Sequence, residues 1–446
     1  MDEARVAVIG GGWAGLAAAV TLADAGRAVT VFEAAPFLGG RARRVELRAA
    51  TVDNGQHILL GGYRQALELL RLVHGARPER ELLDRRRLHI EEPGVFRLHA
   101  PPLPAPLHAL TAILTMRGVS RPDRLTTAAF ARRLKRTNFR CGAQLTVSAL
   151  LVDQPPEVID RLWAPLCISA LNTPPDRASA QIFLNLLRQA FTVHARDSDM
   201  LLPRVDLGVL FPDAAARFVG ERGGEIRLGR SVAGIATLPE GVELTSGGAS
   251  ERFAAALIAV GPHQVGTLLS GLAAKGAAKL ASMIAGFAYE PIVTVFLSYP
   301  RALGVKQPML KLDGKPGQWL FDRAQLGGPS GLAAVVISAD VTAVRGDHAS
   351  LARAIDAQLR RLVADLPPPS WSQVIAEQRA TYACVAGLER PGSGLIAPRV
   401  YVAGDYTDPE LPGTLESATR SGVAAVRQLL AARRPQADAS LEVGVF

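Results

Sequence analysis

Within the first 33 residues, one arrangement limits the fold more than anything else in the chain. Val6-Ala7-Val8-Ile9 is a short apolar run. Gly10-x-Gly12-x-x-Gly15 follows, then the helix-forming Leu16-Ala17-Ala18-Ala19-Val20, then Ala28-Val29-Thr30-Val31-Phe32, closed by Glu33. Such runs fit strands buried in a parallel sheet, with a helix between them. The glycines divide three tasks. Gly10 permits the tight turn, Gly12 lets backbone approach a pyrophosphate, and Gly15 lets the helix pack on the strand, with Trp13 and Ala14 between them expected to contact the cofactor as well. A phosphate then sits at the positive helix N-terminus, and Glu33 accepts hydrogen bonds from an adenosine ribose, which disfavours a 2′-phosphate.

The same stretch runs 18 residues, Val6 to Ala23, without a charge, the threshold length for a membrane span. Its three consecutive glycines and the mixed-charge start, Met1-Asp2-Glu3-Ala4-Arg5, speak against a span and against a signal peptide. With 446 residues the chain holds roughly three domain-equivalents. A hydrophobic share of 48% excludes a mainly disordered chain. Cys141, Cys167 and Cys384 are widely spaced and never in CxxC, which argues against disulfides or a metal site and fits a reducing cytoplasm. The net charge of +9 invites a nucleic-acid reading, but no stacking-aromatic or reader-helix motif accompanies it.

Seven residues past Glu33, Gly39-Gly40-Arg41-Ala42-Arg43 returns towards the pyrophosphate, which suits a flavin dinucleotide better than a free nicotinamide one. Near the end, Val400-Tyr401-Val402-Ala403 reads as a strand running into Gly404, where backbone approaches a ligand and Asp405 binds a hydroxyl such as a ribityl chain. Thr414 to Leu430 reads as a helix whose first turn, with Leu415 and Glu416, directs positive charge at the flavin.

These residues resemble the amine oxidase and phytoene desaturase class of FAD-binding flavoproteins. Asp53-Asn54-Gly55-Gln56-His57 looks like the DNGQH signature of its squalene-associated branch, the hydroxysqualene dehydroxylases. Trp163 to Cys167, Leu171-Asn172-Thr173-Pro174 and Leu201 to Leu207 are similar to that branch too, and the resemblance spans residues 5 to 430. It implies an α/β fold: an FAD-binding Rossmann-type three-layer domain and a second α+β substrate domain of mixed sheet and helices. It also implies FAD as cofactor, contact of adenine with the Val232 backbone, and further cofactor contacts at Gly40, Arg41, Gly55 and Gln56. The implied reaction reduces hydroxysqualene to squalene, the hydroxyl leaving as water. A C30 isoprenoid substrate and squalene-pathway synthases are the partners expected with it.

The FAD domain is expected from residues 1–75, 205–270 and 385–430, the substrate domain from 76–204 and 271–384, and a loose tail from 431–446. Strands are expected at Glu225 to Leu228, Val242 to Leu244, Leu257 to Val260, Pro291 to Leu297 and Ala333 to Ile337. Asp53 and His57 flank Gly55, whose missing side chain lets backbone meet the flavin ring. His57 is expected to donate the proton to the leaving hydroxyl, oriented by Asp53; the alternative is that Asp53 caps a turn and His57 bonds backbone or flavin. Two other activities stay open, a carotenoid-type desaturase and an amine oxidase. Four prolines between Pro101 and Pro106 exclude a spanning helix there, but Leu107 to Met116 is a short apolar helix followed by a dense run of arginines from Arg117 to Arg140. That pairing suits peripheral contact with an anionic membrane surface, on the inner face of the cytoplasmic membrane; the alternative is a core helix beside a solvated arginine face.

Overall fold

Val6–Ile9 is buried at all four positions, as a strand covered on both faces must be. The computed structural model, which describes residues 5–47, 50–77 and 79–432, places it inside a six-stranded sheet. The order across the sheet is Glu225–Arg227, Val29–Phe32, Val6–Ile9, Ala255–Ile258, Val400–Val402, Gly394–Ala397. Every pairing is parallel except the last, at the Gly394–Ala397 edge. The strands come from three stretches distant in sequence, 6–32, 225–258 and 394–402.

Alternation along these strands builds three layers. Val6, Val8, Val29, Val31 and Leu257 join a core with the helix Trp13–Asp24 and the helix Leu415–Ala431. Ala7, Ile9, Phe32 and Ile258 point the other way, into a core shared with Val242 and Leu244 of a three-stranded antiparallel sheet. The two helices approach so closely that a Cβ at Gly422 would stand 2.2 Å from the Ala14 carbonyl oxygen. Thr414 caps the second of them, its hydroxyl accepting from Ser417 N, so the helix starts where the sequence places it.

A second sheet, of five strands, runs in the order Met309–Lys311, Trp319–Asp322, Leu332–Ser338, Tyr289–Ser298, Trp371–Tyr382. All its pairings are antiparallel, which refines the mixed sheet expected. Val293, Val295 and Leu297 pack under the helix His348–Leu362 with Ile355 and Leu359. The alternate residues, Thr294 and Phe296, therefore face the opposite side, and Phe296 belongs to the core shared with the first sheet's outer layer. The expected strands are present within one or two residues of their sequence limits. Beyond residue 432 the expected tail lies outside the described residues.

A small three-stranded sheet ties two distant motifs to a third strand. Leu59–Leu60, just after the DNGQH segment, pairs with Met200–Pro203, which pairs in turn with Leu83–Arg86. Asn172 takes a left-handed backbone (φ 44°) at the end of the helix Ala164–Leu171. Its Nδ2 donates to the Glu290 carbonyl and to Thr381 Oγ1, and Thr173 Oγ1 accepts from Cys384 N. The Leu-Asn-Thr-Pro stretch is thus a clamp on the antiparallel sheet.

Candidate functional site

The dinucleotide turn is built as its glycines require. Gly10 has φ +110°, and a Cβ there would meet the Ala259 carbonyl oxygen at 2.7 Å. A Cβ on Gly15 would lie 1.9 Å from the Gly10 carbonyl oxygen, so helix and turn touch. Gly12 is different: the nearest atom to a Cβ there is Gly40 Cα, at 3.9 Å, which leaves an open approach to the backbone. Gly12 also caps Trp13–Asp24 with no side-chain acceptor and no acid in the first turn. The helix N-terminus therefore keeps its amides and dipole for an external anion.

Glu33 Oε2 accepts from Gly11 N at 2.7 Å and Oε1 from Ala35 N at 2.8 Å. Each oxygen retains a lone pair for a ribose hydroxyl. Gly229 N and Arg230 N donate to the carbonyls of Ala35 and Glu33, which brings the Val232–Leu238 strand alongside. Val232 is buried opposite Ser246, at an irregularity in the ladder. Gly39 N donates to the Gly11 carbonyl, and this folds the second glycine pair back over the first turn.

That fold-back joins the two ends of the chain. Arg41 donates to Asp405 Oδ1 at 2.6 Å and to the Ala380 carbonyl at 2.9 Å. Burial opposes the Arg41 charge, but Asp405, together with Glu377 and Tyr382, outweighs it and the guanidinium is held above its ordinary value. Gly404 N is fixed by Ser421 Oγ, and a Cβ at Gly404 would strike the Tyr406 ring at 2.3 Å.

Three of the expected cofactor contacts have another use. Both Glu416 oxygens accept from Gln65 N and Ala66 N, so this carboxylate caps the helix Arg64–His74. The Trp13 indole donates to the Ala42 carbonyl and its ring packs on Phe211, 4.8 Å between centroids. Ala14 is packed against Gly422. What Trp13, Ala14 and buried Leu415 offer a ligand is backbone at two helix N-termini.

The DNGQH segment crosses between the two sheets. Asn54 N donates to the Arg43 carbonyl, and its side-chain amide donates to the Arg41 carbonyl. Asp53 is buried, and its Oδ1 accepts from Leu207 N at 2.7 Å. Burial pushes its carboxyl up to about 7; the Leu207 amide and the guanidinium of Arg323 pull the other way. The bond at His57 is to the Gly55 carbonyl, 3.0 Å from Nδ1. A carbonyl only accepts, so Nδ1 carries the proton. Burial, with Arg41 adding to it, holds His57 below its ordinary value and therefore neutral, which leaves Nε2 as an acceptor. The expected pairing of Asp53 with His57 is thus replaced by two separate anchorages, and neutral His57 has no proton to give from Nε2.

A side chain at Gly55 would stand 3.8 Å from His57 Cε1 and 3.9 Å from Thr294 Oγ1, on the inward face of the second sheet. Among the described residues, the buried Thr294 Oγ1, Gln56 Nε2 and Tyr406 hydroxyl have no protein partner. Buried polar atoms are rarely left so, and these fit an occupant bearing its own donors and acceptors. A flavin ring meets that requirement: the phosphate turn, Glu33 and Asp405 would hold its dinucleotide and ribityl parts. Thr294, and Arg323 which donates to Gln56 Oε1, are not announced by the sequence. Thr294 is one polar residue in an apolar strand, and Arg323 ends the buried run Trp319-Leu320-Phe321-Asp322; neither carries a spacing signal.

A family model described as flavin containing amine oxidoreductase matches residues 13–430. The chain belongs to this family. It is an FAD-dependent oxidoreductase of the amine oxidase superfamily. It is 28% identical to a hydroxysqualene dehydroxylase of Rhodopseudomonas palustris, over 96% of this chain and 99% of that protein. With the enzyme of the same name from Sinorhizobium fredii it shares 26%, over 94% and 96%. A crystal structure of an oxidoreductase from Methanosarcina mazei superposes with a TM-score of 0.75 at 16% identity, covering 95% of this chain and 99% of that one; this likeness concerns the fold alone.

Proposed function

We propose that the protein reduces hydroxysqualene to squalene. The observation that carries the reading is the DNGQH segment: it crosses from the dinucleotide turn to the substrate-side sheet in a chain similar over its whole length to hydroxysqualene dehydroxylases. In the reaction a C–O bond breaks, a C–H bond forms at the same allylic carbon, and the hydroxyl takes a proton and leaves as water. Reduced FAD, when bound, supplies the hydride. The chain's part is to hold the carbinol carbon in place, exclude water and manage that proton.

Neutral His57, with Nδ1 on the Gly55 carbonyl, would accept the substrate hydroxyl's hydrogen at Nε2 and so orient its oxygen. Asp53, whose Oδ1 is taken by Leu207 N–H, would hold its proton at Oδ2 near neutral pH. These assignments exchange the donor and orienting roles expected from the sequence. Anaerobic reduction of the bound flavin followed by hydroxysqualene tests the activity: reoxidation with squalene formation supports it. Reduction of the oxidised enzyme by a carotene precursor or an amine overturns it.

The apolar helix Leu107–Thr115 supports the proposed membrane contact. It buries His108, Ala112 and Ile113 and turns Leu107 (50% exposed) and Leu114 outward, seven residues apart on one face. On the adjoining helix Arg121–Arg136, Leu125 is 64% exposed, one turn from Arg121 and two from Arg132. Residues 95–140 contain nine basic side chains against Asp123, eight of the chain's nine net positive charges. Outward leucines among arginines suit an anionic bilayer surface, the phase in which a C30 hydrocarbon resides. No described helix is long and apolar enough to cross a membrane.

A further inference from the structure

The geometry points to Arg323 as a positioning residue: it fixes the Gln56 carboxamide so that its N–H faces the bound flavin, and through that N–H it stabilises the reduced cofactor. This rests on FAD binding at the site described above. Arg323 opens the short turn Arg323–Leu326 at the end of the buried strand Trp319–Asp322. The turn is rigid. Asp322 accepts from Ala324 N, Gln325 Nε2 bonds the Val305 carbonyl and Asp322, and a Cβ at Gly327 would meet the Arg204 carbonyl oxygen at 2.4 Å.

From this turn the buried Arg323 side chain donates through Nη1 to Gln56 Oε1 at 3.0 Å. A guanidinium has donors and no acceptor, so the Gln56 oxygen has to be the atom facing it. The amide nitrogen is thereby forced to the other side, where it is buried and has no protein partner among the described residues. Gly55, immediately before Gln56, lines the space bounded by His57 and Thr294. An N–H in that position requires an acceptor, and the polar edge of the flavin ring supplies one.

The guanidinium makes no ion pair within 4 Å among the described residues; Asp53 and Asp206 act on it only from a distance. Holding a buried cation without a contact partner costs stability. Here the cation polarises the Gln56 carbonyl, and a polarised amide is a stronger donor at its N–H. Negative charge gained on flavin reduction is stabilised by that donor, so the potential rises.

The test is the reduction potential of bound FAD, measured against a reference dye for the wild type, Arg323→Met, Gln56→Met and the double variant. Each single change is expected to shift the two-electron equilibrium about tenfold towards oxidised flavin, roughly 30 mV. The double variant is expected to fall no further, because both act through one bond. Arg323→Lys keeps a cation and a donor, so it preserves a measurable fold if Arg323→Met does not, and its potential should lie between. An unchanged potential in the Arg323 variants with FAD still bound overturns the proposal, as do additive shifts in the double variant. A wild-type protein that takes up no FAD would instead fail the cofactor reading.

Discussion

Asp53→Asn tests the proton assignment through stability, independently of turnover. Burial places the Asp53 carboxyl at about 7, against an ordinary value of 3.8. The folded chain therefore binds a proton that the unfolded chain has released over the window between those values. Stability falls as pH rises through that window, and above about pH 7 the cost is complete. For one group, linkage gives about 2 kcal/mol at pH 5 and about 4 kcal/mol at pH 8, so the wild type loses about 2 kcal/mol between them. Asn cannot ionise, yet it still offers Oδ1 to Leu207 N. Urea denaturation of both proteins at pH 5 and pH 8 should show the variant gaining on the wild type by about that amount at the higher pH. A stability gap independent of pH, or one that moves the other way, would refute the raised carboxyl and remove Asp53 as the proton holder.

Gly15→Ala places a Cβ against the Gly10 carbonyl and should abolish FAD retention, read as flavin absorbance of the purified protein. Glu416→Gln should keep bound FAD while lowering stability by about 1 kcal/mol, since it weakens a helix cap rather than a cofactor contact; loss of flavin would restore the cofactor role. Replacing Leu107 and Leu114 by Ser should weaken co-sedimentation with vesicles containing phosphatidylglycerol and leave FAD content unchanged. Wild-type binding that is indifferent to anionic lipid would remove the membrane reading.

The parts of the fold legible in the sequence are those governed by local rules. The strand–turn–helix at Gly10, the strand into Gly404 and the Thr414 cap each follow from residues close together in the chain. The neighbour of Val6–Ile9 across the sheet, Ala255–Ile258, does not: an apolar run shows burial but not its partner. The same limit governs the site. Glu416 reads as a cofactor ligand from the flavin motif around it, and only the fold brings the Arg64–His74 helix beneath it. Asp53 and His57 are four residues apart, yet the chain turns between them and gives each a different anchor. Arg323 reaches Gln56 across 267 residues, a contact no local pattern announces.

Delivery of hydride to the carbinol carbon of hydroxysqualene can be followed in a single turnover in D2O. The holoenzyme is reduced anaerobically, mixed with one equivalent of hydroxysqualene, and the product is examined by mass spectrometry and NMR. Flavin N5–H exchanges with solvent, so squalene is expected to carry one deuterium at the former carbinol carbon, in step with flavin reoxidation. Unchanged hydroxysqualene beside flavin that stays reduced would contradict it.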